Sequence, residues 1–239
     1  MIRESGVKSQ KLFSYHLSLI TYHSSYMLTI AIAKGRMQNE ALRLLAGAGV
    51  SVSDEALRSR RLAVEDESGA YRFVFVKPAD VPVYVEHGIA DCGIVGRDVL
   101  LESEADLLQP LDLGIAACRI VVAARDGVKL KEMAALRVAT KYPRVAEMHF
   151  GSLGIPVEII ELSGSVELAP VLDLADCIVD LVETGRTLAE NGLSVVEVIT
   201  DSTGRFVVNR ASYQLKSEPV AELVDALAKV VNESGRKDD

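Results

Sequence analysis

Tryptophan is absent from the 239-residue chain, and aromatic residues make up only 5% of it. Proteins that bind single-stranded nucleic acid stack bases on aromatic side chains, so this sequence offers few such platforms. Basic residues are also in the minority, because 34 Asp and Glu against 26 Lys and Arg leave a formal net charge of −8. A net negative charge opposes binding along the phosphates of a duplex. These two deficits argue against nucleic acid as a partner.

Cysteine and histidine are too few and too scattered to indicate a disulfide framework or a metal centre. The three cysteines, Cys92, Cys118 and Cys177, lie inside separate apolar runs, which is typical of reduced thiols in a cytoplasmic protein. The four histidines have neither the i, i+4 spacing nor the neighbouring cysteine that a zinc site uses. We therefore expect no metal held by protein ligands.

Long hydrophobic runs are missing too, because charges or glycines interrupt each apolar stretch before it reaches the roughly 20 residues that cross a bilayer. We expect a soluble, cytoplasmic protein without a membrane partner. Residues 1–26 are polar at first and then apolar but broken by His and Ser. A signal peptide is the alternative, but no small-residue cleavage pattern precedes Met27. We interpret 1–26 as an extension, disordered or not native, before a fold that starts at Met27.

The rest of the chain has the composition of a globular protein, with 49% apolar and 25% charged residues overall. From Met27, short β-branched runs alternate with helical stretches, a pattern that predicts an α/β fold. The predicted strand 115–124 is long enough to leave one sheet and enter a second, and we expect the return near Val195. This predicts domain I from residues 27–117 and 196–239, domain II from 118–195, and a ligand in the cleft between them.

The most informative segment is DCIVDLVETGRTL, residues 176–188. A buried strand ends there at the turn Glu183-Thr184-Gly185-Arg186-Thr187, which opens a helix. Backbone N–H groups at a helix start, with the helix dipole behind them, bind phosphate. Gly185 permits the close approach that this needs. A plain strand-to-helix turn with Thr as the cap fits the same segment.

A second Ser/Gly turn follows the strand that ends at Glu161, and it contains Ser163, Gly164 and Ser165. It places hydroxyl and carboxylate groups at the same sheet edge. Phosphate donors beside carboxylates suit a phosphosugar. We predict that the amides hold its 5′-phosphate and that Glu161, with either Asp176 or Asp180, holds the ribose hydroxyls. Taken singly, an acid at a strand end is usually a solvated or capping residue.

Two basic segments complete the candidate site. Lys34, Gly35 and Arg36 directly follow the first predicted strand, and Arg60 and Arg61 precede a strand predicted at 62–64. Guanidinium binds phosphate oxygens in a bidentate manner and Lys adds a point charge, so both segments suit a polyphosphate. Either pair alone is more often surface charge.

Three blocks of this sequence resemble the ATP phosphoribosyltransferase family: IAIAKGR, RFVFVKPADVPVYVEHGIADCGIVGRDVL and ELSGSVELAPVLDLADCIVDLVETGRTLAENGL. The resemblance runs from Met27 to about Tyr213. The short final helix resembles the family's short form, which lacks a C-terminal regulatory domain and works with a separate histidyl-tRNA-synthetase-like subunit. Ala33 stands where the family often has Pro or Ser, and residues 1–26 have no counterpart.

The resemblance implies the reaction of ATP with 5-phosphoribosyl 1-pyrophosphate (PRPP), which gives N1-(5-phosphoribosyl)-ATP and pyrophosphate in the first step of histidine biosynthesis. Adenine N1 already has its lone pair, so the reaction needs no general base. It needs stabilisation of the leaving pyrophosphate, and Arg36 and Arg60 with substrate-bound Mg²⁺ are the candidates. We expect the Mg²⁺ to be held mainly by pyrophosphate oxygens and water. Alone, the chain is expected to be a homodimer.

A solute-binding module is the rival from a different functional class, because a two-domain cleft with a hinge is also the architecture of type II periplasmic binding proteins. Such a module needs export, and it does not need the two basic segments. A catalytically silent subunit retained for assembly is a third reading. The presence of Arg36, Arg60 and the 183–187 turn together argues against it.

Overall fold

The computed structural model describes residues 27–59, 61–128, 130 and 135–235. The strands are β1 (Leu28–Ala33), β2 (Ala63–Glu65), β3 (Tyr71–Val76), β4 (Cys92–Gly96), β5 (Leu108–Asp112), β6 (Cys118–Arg125), β7 (Leu136–Thr140), β8 (Val157–Glu161), β9 (Cys177–Val182), β10 (Leu193–Ser202) and β11 (Gly204–Val208). The helices are α1 (Gln38–Gly47), α2 (Asp54–Arg58), α3 (Asp80–Glu86), α4 (Arg97–Ser103), α5 (Pro143–Ser152), α6 (Leu168–Val171), α7 (Arg186–Glu190), α8 (Arg210–Leu215) and α9 (Ser217–Gly235).

The first sheet has the strand order β2-β3-β1-β4-β11-β5. Its centre is parallel, since β1 pairs with β3 and β4 in the same direction, whereas β11 runs antiparallel to β4 and β5. Helices cover both faces. Leu45 of α1 and Leu223 of α9 belong to the core on one face, and Val81 and Val85 of α3 belong to the core on the other. A strand buried on both faces is almost continuously apolar, which explains the sequence LTIAIA of β1, where Thr29 is the one polar residue.

The second sheet has the order β10-β6-β9-β7-β8, in which β7, β8 and β9 are mutually parallel. Its two faces are also covered: α5 packs Val145 and Phe150 on one, and Ala169 of α6 and Leu188 of α7 lie on the other. The predicted α/β class with two sheets is thereby confirmed. Helix α6, which follows the loop after β8, has only four residues.

The chain changes sheets between strands and not within them. The predicted crossing strand 115–124 is wrong, because β6 begins at Cys118 and pairs only with strands of the second sheet. Ala116, in the preceding connection, has φ +50°. The return lies at Thr203, later than predicted, because β10 stays paired with β6 as far as Ser202 opposite Cys118.

The parallel strands of each sheet end at one edge. The amide of Lys34 donates to the carbonyl of Val76 (2.8 Å), which places the ends of β1 and β3 side by side. The amide of Leu162 donates in the same way to Thr140 at the ends of β8 and β7 (2.9 Å). Ligands of open α/β sheets bind at such carboxyl edges. Within the described residues, no helix is long and apolar enough to cross a membrane.

Candidate active site

A cavity of about 660 Å³ lies where the carboxyl edges of the two sheets face each other. Residues that follow strands of the first sheet form one wall, among them Lys34, Arg36 and Lys77. Lys141, after β7, and Ser163, after β8, lie on the other wall. A cavity lined by four cations (Lys34, Arg36, Lys77 and Lys141) and two carboxylates (Asp98 and Glu102) suits a polyanionic ligand.

A second cavity of about 310 Å³ surrounds the turn between β9 and α7. The whole predicted turn, residues 183–187, lines it, together with Asp180 and Glu167. Arg36 and Leu181 line both cavities. The two spaces are therefore neighbours, and Arg36 lies at their junction.

Arg36 connects the two predicted segments directly. Its guanidinium Nη1 donates to Oε2 of Glu183 (2.8 Å), and its Nη2 donates to the carbonyl of Ala116 (3.0 Å). Partial burial opposes the charged form of Arg36, but hydrogen bonds with Glu183 and Cys118 outweigh it, and the net pKa is raised. Arg36 is therefore a fixed positive charge. Gly35 beside it has φ +102°, a conformation that favours glycine.

The 183–187 turn has the geometry of an anion site. Gly185 is left-handed, with φ +77°, and α7 begins directly after it. Within the part of the chain that the structure describes, the amides of Thr187 and Leu188 have no protein acceptor. The hydroxyls of Thr184 and Thr187 add donors at the same place. The Arg186 side chain points elsewhere, since its Nε donates to Glu190 (2.8 Å).

Of the two aspartates of the β9 segment, the structure places only Asp180 at this site. Asp180 is 9% exposed, lines the second cavity and forms an ion pair with Lys141 (3.2 Å). Asp176 lies before the opposite end of β9, where it accepts hydrogen bonds from Nη2 (2.7 Å) and the amide (2.8 Å) of Arg137. The Arg137 hydrogen bond is the main reason that the pKa of Asp176 is lowered. Asp176 is a structural residue here, and the expectation that it shares the site is not supported.

The loop after β8 contributes less than the sequence predicts. Ser163 lines the larger cavity, whereas Glu161, Gly164 and Ser165 line neither cavity. Glu161 ends the edge strand of the second sheet and is exposed. The acid that this segment does supply is Glu167, in the wall of the second cavity. Arg60 lies outside the described residues.

Several cavity residues were missed by the sequence analysis. Lys77 follows β3, Lys141 follows β7, and Asp98 comes two residues after β4. Each could have been found by extending the strand-end argument to every predicted strand. Glu102 could not have been found in this way, because its partners belong to the other half of the structure. Its carboxylate accepts hydrogen bonds from the amides of Arg144 (3.0 Å) and Val145 (3.1 Å), in the first turn of α5.

The three cysteines are free thiols and buried, as predicted from their positions inside separate apolar runs. Burial raises the pKa of the Cys177 thiol to about 12, and it raises the pKa of Cys92 still further. A thiol with a raised pKa is a poor nucleophile. Among the described residues, no group of three His, Cys, Asp or Glu side chains is arranged to hold a metal ion.

Comparison with known proteins gives a consistent family. A family model described as ATP phosphoribosyltransferase matches residues 77–229. The ATP phosphoribosyltransferase of Geobacillus sp. (strain WCH70) is 51% identical over 205 residues, which cover 86% of this chain and 99% of that protein. That of Anoxybacillus flavithermus is 48% identical over 213 residues, 89% of this chain and 100% of the relative.

Solved structures agree. The chain is similar to one in the ATP phosphoribosyl transferase (HisG:HisZ) complex from Thermotoga maritima, with 39% identity, a TM-score of 0.77, and coverage of 87% of this chain and 100% of that one. The periplasmic aliphatic sulphonate binding protein SsuA from Escherichia coli matches at 12% identity and a TM-score of 0.55, over 88% of this chain and 75% of that one. This second likeness shows only the fold, which is that of a two-domain periplasmic binding protein.

Proposed function

This chain belongs to the ATP phosphoribosyltransferase family, and from that premise we propose that its two neighbouring cavities hold the two substrates of one reaction. The chain transfers the 5-phosphoribosyl group of PRPP to N1 of ATP and releases pyrophosphate, the first step of histidine biosynthesis. One observation carries the assignment of the site: Arg36 lines both cavities, where the departing pyrophosphate meets the incoming nucleotide.

PRPP occupies the smaller cavity in this proposal. Its 5′-phosphate lies at the 183–187 turn, where unpaired amides, threonine hydroxyls and a helix start offer donors to a dianion. The carboxylates of Asp180 and Glu183 face the same cavity and can accept from the ribose 2′- and 3′-hydroxyls. Glu161 and Asp176 have no place in this arrangement, because neither lines the cavity.

ATP occupies the larger cavity. Lys34, Lys77 and Lys141 lie in its wall and offer point charges to the triphosphate. Apolar side chains, including Met37, Val99 and Leu181, line the rest and suit a purine. N1 of adenine attacks C1′ with its own lone pair, so neither wall has to supply a base.

Catalysis in this proposal is charge stabilisation. As the C1′–O bond breaks, negative charge grows on pyrophosphate, and the Arg36 guanidinium is placed to receive it. Arg60 also stabilises the leaving pyrophosphate in this proposal. Only its position in the sequence supports this role, because Arg60 lies outside the described residues. The pyrophosphate oxygens would hold a substrate-bound Mg²⁺, which would neutralise part of their negative charge.

The partner is a histidyl-tRNA-synthetase-like regulatory subunit. What supports this is the similarity, at 39% identity, to a chain of a complex whose name gives two components, HisG and HisZ. The Geobacillus and Anoxybacillus relatives are matched over 99% and 100% of their length, so these two proteins contain no large further domain. Without the partner, we propose that the chain is a homodimer.

Each sheet with its helices forms a domain in this proposal. Domain I comprises residues 27–117 and the chain after Thr203, and domain II comprises the strands from β6 to β10. The connection at Ala116 and the return at Thr203 are the two places where the chain passes between the sheets. A change in the angle at these places changes the distance between Arg36 and the 183–187 turn.

The test is an assay of the purified chain with ATP, PRPP and Mg²⁺, followed as formation of phosphoribosyl-ATP, with and without the regulatory subunit. Titration calorimetry with PRPP and with a panel of amino acids runs beside it. We expect product formation and PRPP binding by the chain. Binding of an amino acid without any product would instead support a solute-binding module.

A further inference from the structure

Helix α5 begins without a cap from its own segment. Tyr142 is at the N-cap position, but its hydroxyl donates to Asp98 (2.9 Å), and its side chain makes no bond to α5 within the described residues. Pro143 follows as the first helical residue, and the first turn contains the cation Arg144 and no acidic residue. A cation is unfavourable at the positive end of a helix dipole. The amides of Arg144 and Val145 therefore need an acceptor from elsewhere in the chain.

That acceptor is Glu102, in α4 of the other half of the structure. Its Oε1 accepts from the amide of Arg144 (3.0 Å), and its Oε2 accepts from the amide of Val145 (3.1 Å). Hydrogen bonds to a charged acceptor are stronger than those between neutral groups, and a negative charge at this end of α5 also suits the helix dipole. One side chain from the half that contains the first sheet thus completes a helix of the second.

Helix α4 is in contact with both halves. Leu100 belongs to the core that α3 forms with the first sheet, whereas the neighbouring Leu101 packs against the core of the second sheet. At the start of α4, Nη1 of Arg97 donates to the hydroxyl of Thr200 (2.9 Å) and to the carbonyl of Asp201 (2.8 Å), both in β10. The two halves therefore touch through α4 beside the larger cavity, and Glu102 is the residue by which α4 holds the start of α5.

The start of α5 determines where a cation of the cavity lies. Lys141 comes two residues before α5, lines the larger cavity and forms an ion pair with Asp180 (3.2 Å). Lys34 and Lys77 lie in the opposite wall, which belongs to the first sheet. Because Glu102 fixes the first turn of α5 against α4, it also fixes the distance between Lys141 and the cations of the opposite wall.

We propose that Glu102 is a positioning residue for the transfer reaction: by capping α5 it holds the two halves in the closed arrangement, in which one triphosphate contacts the cations of both walls. This inference rests on the proposed function. Glu102 acts through α5 and not on the reacting atoms, so its loss lowers the fraction of chains that are closed before ATP binds. The apparent affinity for ATP falls with that fraction, whereas the chemical step in the closed complex is unchanged.

The kinetic test separates KM from kcat. Glu102→Ala removes both acceptors, and Glu102→Gln keeps one amide oxygen as an acceptor without the charge. We expect Glu102→Ala to raise the KM for ATP by about tenfold, with kcat within about threefold of wild type and Glu102→Gln in between.

Asn209→Ala is the matched control for this test. Asn209 caps α8 by accepting from the amide of Ser212 (2.9 Å), within one half of the structure, and it lines neither cavity. Its loss should lower stability and leave the KM for ATP unchanged. An equal rise of KM in Asn209→Ala and Glu102→Ala would overturn the inference, as would a tenfold fall in kcat of Glu102→Ala at unchanged KM.

A distance measurement on the ligand-free protein tests the closed arrangement itself. Spin labels go on Val83→Cys in α3 and Glu147→Cys in α5, which are exposed positions on the two halves, whereas the native cysteines are buried. We expect Glu102→Ala to give a longer and broader distance distribution than wild type, and Glu102→Gln a smaller shift in the same direction. Arg144→Ala should match wild type, since it keeps the amide and removes the ion pair with Glu104.

The distance distribution and KM together separate a cap from a ligand contact. An unchanged distribution in Glu102→Ala would overturn the inference even if KM had risen, because Glu102 would then bind ATP directly. Thermal unfolding shows whether Glu102→Ala is folded, and Glu102→Gln carries both tests if it is not. Failure of the wild-type chain to make phosphoribosyl-ATP would contradict the proposed function instead, and the distance measurement would still test the cap.

Discussion

The guanidinium of Arg36 and the carboxylate of Glu183 lie 2.8 Å apart, although 147 positions separate them in the chain. One follows β1 in the first sheet, and the other follows β9 in the second. Both side chains are largely exposed, at 42% and 61%, so the ion pair adds little to stability. The ion pair instead fixes the side chain of Arg36 at the junction of the two cavities.

Replacing Arg36 should slow catalysis more than it weakens binding. Arg36→Ala removes a charged contact of roughly 1.5 to 3 kcal/mol, which corresponds to a kcat lower by about tenfold or more. Arg72→Ala is the matched control, since Arg72 pairs with Glu65 at 2.9 Å with similar exposure but lines neither cavity. Single-turnover rates are the readout, because product release can hide a change in chemistry. A loss of substrate affinity alone would contradict a transition-state role.

The 183–187 turn should be essential for PRPP binding. The double variant Gly185→Val and Thr187→Ala replaces a residue at φ +77° and removes a hydroxyl donor, so calorimetry should detect no PRPP binding to a folded protein. Gly49→Val is the control, because Gly49 has φ +83° and open space around it, away from both cavities. Unchanged PRPP affinity in the folded double variant would remove the phosphate site from this turn.

The two aspartates of the β9 segment should respond differently to amidation. Asp180→Asn should weaken PRPP binding by about tenfold, as expected for one charge-assisted hydrogen bond. Asp176→Asn should leave PRPP affinity unchanged, because Asp176 is paired with Arg137 at the other end of the strand. Each variant serves as the control for the other in the same titration. The reverse result would show that Asp176 reaches the ribose.

Asp176 should instead affect stability in a pH-dependent way. Its pKa is lowered in the folded protein, chiefly by the Arg137 hydrogen bond. Such a group stabilises the fold above its unfolded pKa of about 3.9, and this stabilisation is lost as the pH falls through the folded pKa. Urea unfolding should show wild type more stable than Asp176→Asn by a constant amount between about pH 7 and 5. The difference should shrink below about pH 4, and a constant difference down to pH 3 would contradict the assignment.

Histidine should inhibit this chain only through its partner. Inhibition through a second protein requires that histidine bind the partner and that the partner favour one conformation of this chain. The purified chain should therefore be active and nearly insensitive to histidine, and addition of the regulatory subunit should confer inhibition. Initial rates measured over a histidine titration test this. Strong inhibition of the chain alone would defeat the short-form assignment and leave the transfer reaction standing.

Local patterns in the sequence determined most of the strands and helices. They also determined the two segments that form the site, which are the basic turn with Arg36 and the 183–187 turn. The run LTIAIA, in which Thr29 is the one polar residue, predicts a strand, and Gly185 between a buried strand and a helical segment predicts the phosphate turn. The sequence also predicts the basic turn, because Lys34 and Arg36 directly follow the first predicted strand. These features depend on neighbours within a few positions, so their physical causes are visible in the chain itself.

Tertiary structure alone decided which of these features meet. Asp176 and Asp180 lie on one segment, and only the pairing of β9 shows that one faces Arg137 and the other the cavity. The return at Thr203 depends on the register between β10 and β6, which a valine-rich segment does not specify. Asp98 receives its partners from Tyr142 and Ser202, 44 and 104 positions away. Contacts over such separations are set by how the two sheets pack, and no short-range pattern records that packing.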